Sequence, residues 1–379
     1  MKKLTALLLS AVLVLGLAAC GGTPAASPSG STAPSPTASA TTPVASAGEL
    51  NVAVFYYSYS DVYISSVRSN MDAALTKLGV KYNNYDGNSS QPTQTDQINT
   101  AITNGANFLI VNIVETSSPD AAQGAVDAAK KADIPIVFFN REVDDSVVNS
   151  YDKCAFVGTN APEAGHMQGK LVGEYLLANY DALDLNGDGV ISYVMFKGQE
   201  GNAEAEARTQ FGVEDANTVL TAAGKPALAY YDAAASTKYL VDQGGNWSAQ
   251  AATDYMNTIL AEYSEANKNM IEVIICNNDN MAEGAVSALQ SAGYNKGDGG
   301  KTIPVFGVDA TDSAKALIDA GQMTGTIKQD AVGMADTITA LVSNIKSGAA
   351  LMDNTSSYNV DTSVAKIRVP YGVYDAQNK

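Results

Sequence analysis

Residues 134–141 read Ile134-Pro135-Ile136-Val137-Phe138-Phe139-Asn140-Arg141, an apolar run that ends in two polar residues. A short, almost wholly apolar run is typical of a strand buried in a parallel sheet. Further strand-like runs lie at residues 50–57, 80–85, 108–114, 155–158, 190–197, 227–231, 271–277, 303–308 and 324–328. The chain is therefore rich in short buried strands.

Amphipathic segments separate these strands, at residues 61–78, 119–132, 161–180, 204–223 and 247–266 among others. Strands that alternate with helices predict an α/β fold with parallel sheets covered by helices. About 330 residues follow Glu49, a length that favours two domains over one. We therefore expect two doubly wound sheets.

Polar residues collect just after the carboxyl ends of the strands, as Asn140 and Arg141 do. The others are Ser58, Tyr59, Asp61, Gly198–Arg208, Asn277, Asn278, Asp279 and Asp309. Open α/β sheets bind ligands at that edge, so two facing sheets would form a cleft for a small polar ligand. No phosphate-binding glycine motif begins a helix, so a nucleotide is not the expected ligand.

The chain begins with Lys2 and Lys3, continues with an apolar stretch over 4–17 and then reads Leu17-Ala18-Ala19-Cys20. This pattern is typical of a signal peptide over residues 1–19 and resembles a bacterial lipobox, which implies a lipid on Cys20. Residues 20–48 are rich in Ser, Thr, Pro and Ala and predict a flexible linker to the membrane. A membrane-spanning helix with a disordered tail is the alternative.

Acidic residues dominate the charge of the chain. Without Lys2 and Lys3, 21 basic residues stand against 40 acidic ones, a net charge of −19. Such a charge argues against nucleic acid or an anionic membrane surface as a partner. Cys154 and Cys276 lie in apolar runs, which favours two buried thiols, although a disulfide stays open.

Residues 184–192 read Asp184-Leu185-Asn186-Gly187-Asp188-Gly189-Val190-Ile191-Ser192, the ligand order of an EF-hand calcium loop. Position twelve, which should carry the bidentate glutamate, is Met195 in a strand-like run. A further carboxylate would therefore have to come from elsewhere in the fold. The alternative is a polar surface turn that binds nothing.

Several runs together resemble the galactose/glucose-binding proteins of bacterial ABC transporters. They are Ile134–Asn140, Ser150–Lys153, Ala203–Arg208, Ile271–Asp279 and Pro304–Ala310, in addition to the calcium-type loop. The similarity extends over residues 50–375, with extra sequence near 233–246.

The resemblance implies two Rossmann-like lobes joined by three crossings, near residues 158–160, 328–330 and 368–370. One lobe would comprise 49–158 plus 330–367, and the other 159–329 plus 368–379. A sugar would lie in the cleft between the lobes and be delivered to a membrane permease. Docking to a chemoreceptor or sensor kinase is the alternative, and we expect a monomer.

The resemblance also implies the residues of the site. Two aromatics, Tyr63 and Trp247, would sandwich the sugar ring, although core or surface aromatics are the alternative. Hydroxyl groups would be bound by Asp61, Asn140, Asn202, Glu204, Arg208, Asn278, Asp309 and Gln329. A helix N-cap is the alternative role for Asp61.

Four positions depart from the enteric members, which carry Phe, His, Asp and Asn where this chain has Tyr63, Asn202, Glu204 and Gln329. The choice between glucose, galactose and a related aldose therefore stays open. The resemblance implies a structural calcium ion held by Asp184, Asn186, Asp188, the Val190 carbonyl, Ser192 and Glu272. Ser192 replaces the usual Gln.

Two other classes of protein are less consistent with the sequence. The one histidine, His166, lies in a helical segment, so it is a poor candidate for a general base, although Asp61, Glu204 and Asp309 could mimic a glycosidase pair. A sugar-responsive repressor would need a basic DNA-binding headpiece. We therefore predict a binding protein that is not an enzyme.

Overall fold

The computed structural model describes residues 49–379, which belong to one compact unit. The signal peptide at 1–19, Cys20 and the linker to residue 48 lie outside the described residues. The strands are β1 (Asn51–Tyr56), β2 (Lys81–Asp86), β3 (Phe108–Val111), β4 (Ile136–Asn140), β5 (Cys154–Gly158), β6 (Ser192–Lys197), β7 (Ala229–Tyr230), β8 (Leu240–Val241), β9 (Val273–Cys276), β10 (Val305–Asp309), β11 (Gly325–Gln329), β12 (Asn359–Val360), β13 (Lys366–Arg368) and β14 (Tyr371–Asp375).

The helices alternate with the strands through most of the chain. They are α1 (Val62–Leu78), α2 (Gln91–Thr103), α3 (Asp120–Lys131), α4 (Asp145–Asn149), α5 (Ala161–Leu183), α6 (Ala203–Ala222), α7 (Ala249–Glu262), α8 (Asp279–Ser291), α9 (Asp312–Asp319) and α10 (Ala331–Lys346). The predicted helix over 247–266 is shorter, because Ser248 caps α7 at its start and Glu262 ends it.

Two seven-stranded sheets organise the described residues. The first has the order β12-β13-β5-β4-β3-β1-β2, and only the β12–β13 pair is antiparallel. The second has the order β14-β11-β10-β9-β6-β7, with β8 also paired to β6 and β14 antiparallel to β11. The predicted α/β fold with two parallel-sheet lobes is confirmed.

Three crossings join the lobes, between β5 and α5, between β11 and α10, and between β13 and β14. One predicted boundary differs by a single residue. Arg368, expected to begin the last segment of the second lobe, is the final residue of β13 and pairs with Gly158 and Asn359 in the first sheet. The crossing therefore begins after Arg368.

Helices cover both faces of each sheet, and apolar side chains fill the layers between. In the first lobe, α1 and α10 bury one face of the sheet, and α2 and α3 bury the other. The interiors of the central strands β1, β3, β4, β5, β6, β9 and β10 are buried on both faces, which explains their largely apolar sequence. The carboxyl ends of the parallel strands of both sheets lead into the loops that form the cleft.

Candidate ligand-binding cleft

One cavity between the lobes is lined by all the residues that the sequence assigned to the sugar. It contains about 360 Å³ of space outside protein atoms, part of which is open to solvent. Its lining is Tyr57, Asp61, Tyr63, Ile64, Asn140, Arg141, Asn202, Glu204, Arg208, Trp247, Asn278, Asp309 and Gln329. Loops and helix starts after β1, β4, β6 and β9 supply most of them, and Asn140, Asp309 and Gln329 are the last residues of β4, β10 and β11.

The two aromatic residues reach the cavity from different lobes. Tyr63 lies in the first turn of α1, and Trp247 precedes α7 in the second lobe. Both side chains are buried, and the Trp247 ring packs on Gly198, where an added Cβ would lie 2.1 Å from the ring. A glycine at residue 198 is therefore required for the ring to occupy this position.

The backbone of Trp247 is in the left-handed region, with φ of 56°, which is strained for a bulky residue. Three side chains hold it there. The Asn278 and Asn280 amides donate to the Trp247 carbonyl at 3.2 and 3.1 Å, and the Asp242 carboxylate accepts from the Ser248 backbone N–H at 2.9 Å. The position of the indole is thus fixed by its neighbours.

Several buried polar atoms that line the cavity have no hydrogen-bond partner among the described residues. They are Glu204 Oε2, Arg208 Nε, Trp247 Nε1, Gln329 Nε2 and Arg141 Nη2. An unpaired buried polar group costs about 1–3 kcal/mol, so such a concentration is expected only where a ligand or water completes the bonds. One acceptor and four donors match a ligand that both donates and accepts.

Three of the predicted ligand residues are also helix N-caps. Asp61 Oδ1, Asn202 Oδ1 and Asn278 Oδ1 accept from backbone N–H groups of α1, α6 and α8. The second Asp61 oxygen accepts from the Tyr57 hydroxyl at 2.6 Å. The N-cap interpretation of Asp61 is therefore correct, and the cap holds its side chain at the cavity wall.

Hydrogen bonds cross the cleft from one lobe to the other. The Glu142 backbone N–H donates to Glu204 Oε1 at 3.1 Å, and Ser89 Oγ donates to Asn246 Oδ1 at 2.9 Å. Asn246 lies in the extra segment that follows β7 and includes β8. The cleft is closed in this arrangement, and the extra segment contributes one of its contacts.

Burial raises the pKa of the two buried acids of the cavity. For Asp309, desolvation raises the pKa well above 3.8, although the Arg208 guanidinium opposes that shift. For Glu204, desolvation and the nearby Glu142 carboxylate raise the pKa above 4.5. Both acids are therefore easier to protonate than exposed carboxyl groups.

Three lining residues, Tyr57, Ile64 and Arg141, were not among the predicted ligand residues. The Arg141 guanidinium lies 3.6 Å from the centre of the Tyr57 ring and donates to the Val114 carbonyl at 2.6 Å. Arg141 had a sequence signal, because it directly follows β4 with Asn140. Tyr57 is the first residue beyond β1, whereas the sequence predicts it as the last residue of a strand over 50–57, so it was not considered as a ligand residue.

The calcium-type loop is closed by bonds within the protein. Both Glu272 oxygens accept backbone N–H groups, from Asn186 at 2.9 Å and Ser192 at 2.7 Å. The Asn186 side chain bonds the Met270 backbone in both directions, and Asp184 accepts N–H groups of its own turn. Within residues 49–379, no three His, Cys, Asp or Glu side chains are placed together to hold a metal ion. Glu272, Asn186 and Asp184 thus have partners within the protein, and the calcium ion predicted to bind them together with Asp188, the Val190 carbonyl and Ser192 stays a prediction.

The remaining candidate groups lie away from the cavity. His166 is half exposed on α5, where it bonds Asp215 at 2.7 Å and stacks on Phe211. Cys154 in β5 and Cys276 in β9 are buried free thiols in different sheets, and burial raises the pKa of Cys154 to about 12. No helix within the described part of the chain has the length and apolar character needed to cross a membrane.

Sequence comparison identifies the family. A profile of the periplasmic binding protein domain matches residues 52–350. The chain belongs to the periplasmic binding protein family. A D-galactose/methyl-galactoside binding periplasmic protein of Haemophilus influenzae is 34% identical over 333 residues, which is 88% of this chain and 91% of that protein. A putative rhizopine-binding protein of Rhizobium meliloti is 29% identical over 276 residues, 73% of this chain and 77% of that protein.

Solved structures agree on the fold of this periplasmic binding protein. An ABC transporter solute binding protein from Bacillus halodurans with bound myo-inositol gives a TM-score of 0.66 at 21% identity and covers 88% of this chain and 96% of its own. One from Clostridium phytofermentans with bound β-D-glucose gives 0.66 at 21% identity and covers 86% and 94%. These likenesses establish the two-lobed architecture.

Proposed function

We propose that this periplasmic binding protein captures an aldohexose of the galactose or glucose type in the cleft. The observation that carries the proposal is the set of unpartnered buried polar atoms around a small cavity that two aromatic residues also line. A pyranose has apolar C–H faces and a rim of hydroxyl groups that both donate and accept. Aromatic rings suit the faces, and the mixed donors and acceptors suit the rim.

The similarity to the Haemophilus influenzae protein, which binds galactose and methyl-galactoside, supports this class of sugar. Tyr63, Asn202, Glu204 and Gln329 differ from the enteric pattern while remaining aromatic or polar. The buried Glu204 carboxylate, with one free oxygen, is placed to accept from a sugar hydroxyl.

The proposed role is delivery to the permease of an ABC transporter. Members of the family act outside the cytoplasm as substrate-binding proteins of such transporters. The sequence Leu17-Ala18-Ala19-Cys20 supports an anchor formed by a lipid on Cys20. Closure of the two lobes on the sugar would provide the surface that the permease recognises.

Calorimetric titration with a panel of aldohexoses, pentoses and inositols tests the proposal. We expect saturable binding of galactose or glucose, with quenching or a spectral shift of the Trp247 emission, since Trp247 is the only tryptophan. No heat and no emission change with any aldohexose would contradict it. Turnover of an aryl hexoside by the purified protein would favour an enzyme instead.

The lipid anchor has a separate test. Cys20→Ser should release the protein from washed membranes and leave its sugar affinity unchanged. Equal membrane retention of the wild type and the variant would refute the anchor without affecting the sugar proposal.

A further inference from the structure

The Arg208 side chain lines the cavity and also donates hydrogen bonds to three other residues of the protein. Its Nη2 donates to Gln329 Oε1 at 3.0 Å and to the Tyr371 hydroxyl at 3.0 Å, and its Nη1 donates to the Asn277 carbonyl at 2.9 Å. The guanidinium is buried, and Nε has no partner among the described residues. The protein therefore fixes the two terminal nitrogens and leaves Nε for the cavity.

These partners belong to the crossings between the lobes. Gln329 is the last residue of β11, directly before the second crossing, and Tyr371 is the first residue of β14, directly after the third. The Tyr371 hydroxyl lies 2.7 Å from Thr159 Oγ1, in the first crossing. One buried chain of hydrogen bonds thus joins Arg208 to all three crossings.

The direction of these bonds follows from the groups involved. A guanidinium can only donate, so the Tyr371 oxygen accepts from Arg208, while either hydroxyl can donate in the bond between Tyr371 and Thr159. The chain continues beyond Thr159, whose carbonyl accepts from Arg368 Nη1 at 2.7 Å. Arg368 is in turn paired with Glu142 and Asp361.

We propose that Tyr371 and Thr159 are positioning residues that hold the Arg208 guanidinium for the ligand and couple it to the three crossings. Neither residue lines the cavity. A rotation of one lobe about the crossings shifts Thr159, Gln329 and Tyr371 relative to one another. The orientation of the Arg208 guanidinium in the cavity therefore depends on how far the two lobes have closed.

The first experiment rests on the proposed function and measures aldohexose affinity. Tyr371→Phe and Thr159→Val keep the shape and remove one hydroxyl each. We expect Tyr371→Phe to weaken binding about tenfold, since a hydrogen bond to a charged group is lost, and Thr159→Val to weaken it less. Tyr151→Phe is the control, because the buried Tyr151 hydroxyl has no partner and lies outside the cavity.

A double-mutant cycle separates positioning from general stability. In an Arg208→Ala background, Tyr371→Phe should change the affinity by less than about twofold, because residues that act through one group are not additive. An equal loss in both backgrounds would show that Tyr371 does not act through Arg208 and would overturn the assignment.

The second experiment needs no sugar and measures amide hydrogen exchange in the ligand-free protein. Tyr371→Phe should speed exchange at residues 158–161 and 329–331 as well as beside residue 371, and Tyr151→Phe should not. Faster exchange confined to the neighbours of residue 371 would refute the coupling of the crossings. If the wild type binds no aldohexose, the proposed function fails, and the exchange data still decide the coupling.

Discussion

Asp309 combines three unusual properties at the residue scale. Its backbone has a φ of 132°, its side chain is buried in the cavity wall, and desolvation raises its pKa well above 3.8. Strained backbone is retained where the surrounding structure fixes it, often at functional sites. The buried carboxyl group thus lies near Arg208, where we expect it to accept a hydrogen bond from a ligand hydroxyl.

We predict that sugar affinity falls on acidification, beginning at a pH above the range of ordinary aspartic acids. The ionised Asp309 carboxylate accepts hydrogen bonds from sugar hydroxyl groups better than the protonated carboxyl group does. Sugar binding therefore favours the ionised form. The pKa of Asp309 is raised in the protein without sugar. The affinity that the ionised carboxylate contributes is therefore present above that pKa and is lost as the pH falls through it. Calorimetry between pH 8 and pH 4.5 measures it, and Asp309→Asn, although weaker, should show a smaller pH dependence. An affinity independent of pH in the wild type would contradict the prediction.

A second prediction concerns the glycine beneath the indole. A Cβ at residue 198 would lie 2.1 Å from the Trp247 ring, so Gly198→Ala must displace the ring. Steric overpacking typically costs about 1–3 kcal/mol, and a cost of that size in the bound state would weaken binding roughly five- to 150-fold. Gly124→Ala in α3 is the matched control, because its Cβ would meet no atom within 4 Å. Calorimetric titration with the sugar measures the affinity of both variants. Equal affinities of Gly198→Ala and Gly124→Ala would show that the position of the Trp247 ring does not affect sugar binding.

The cavity residues were predicted because motifs of the sequence resemble those of a known family. Physical reasoning from the residues alone accounts for only some of them. Asp61 could be anticipated as a cap because a helix-start pattern is local. The stacking of Arg141 on Tyr57 and the bond from Arg208 to Tyr371 depend on how distant segments pack. Those contacts are not encoded in any local spacing, and so they required the folded structure.

At the scale of elements, the loop over residues 184–192 shows which part of a sequence motif the structure reproduces. Its ligand order indicates calcium, and Glu272 does lie at the loop as the resemblance implied. Both oxygens of Glu272, however, accept backbone N–H groups, and burial raises the pKa of this carboxyl. The hypothesis of a structural calcium ion stays a prediction.

The bonds of Glu272 lead us to expect a loop that folds without the ion. We predict that the melting temperature is higher in calcium than in chelator and that Glu272→Gln shrinks this difference. Glu272→Ala should also lower the free energy of unfolding in chelator by about 1–3 kcal/mol, because two backbone N–H groups lose their acceptor. Metal must first be stripped under denaturing conditions. Equal melting curves with and without calcium would leave only the polar turn.

The extra segment before α7 contributes the contact between Asn246 and Ser89 across the cleft. We predict that Ser89→Ala raises the dissociation rate of the sugar a few-fold and leaves the association rate nearly unchanged, because the bond forms only in the closed state. Stopped-flow measurement of the Trp247 emission gives both rates. Ser89→Ala should have no further effect in an Asn246→Ala background, and an additive effect there would refute the contact.

Most strands were predictable because their sequences are short, largely apolar runs, whereas β8, β12, β13 and β14 were not predicted. β8 has two residues in a polar segment, and β12 and β13 lie among charged and small residues such as Lys366 and Arg368. A strand at the edge of a sheet buries less surface, so its sequence carries a weaker pattern. Its pairing is decided by neighbours far away in the chain.

At the scale of the whole molecule, the last part of the chain completes both sheets. β12 and β13 form one edge of the first sheet, and β14 forms one edge of the second. Ending the chain after Ser357 would remove the buried Val364, Ile367, Val369 and Tyr371. At about 1.5–3 kcal/mol for each large side chain, the loss is comparable to the entire stability of an ordinary protein.

We therefore expect the chain ended after Ser357 to lack a cooperative melting transition. The chain ended after Asp375 is the control, since residues 376–379 are exposed. Circular dichroism during heating compares the two. A cooperative transition in the shorter chain at the temperature of the control would show that the terminal strands are dispensable.

This interleaving of the two lobes has a consequence for biosynthesis. A ribosome releases residues 49–158 early, but the β13 strand that flanks β5 emerges only after the whole second lobe has been translated. Neither lobe can reach its final form while the chain is growing, so the newly made protein stays incompletely folded until its last residues appear. A chain that delays folding in this way remains longer in the extended state that a secretion channel can thread.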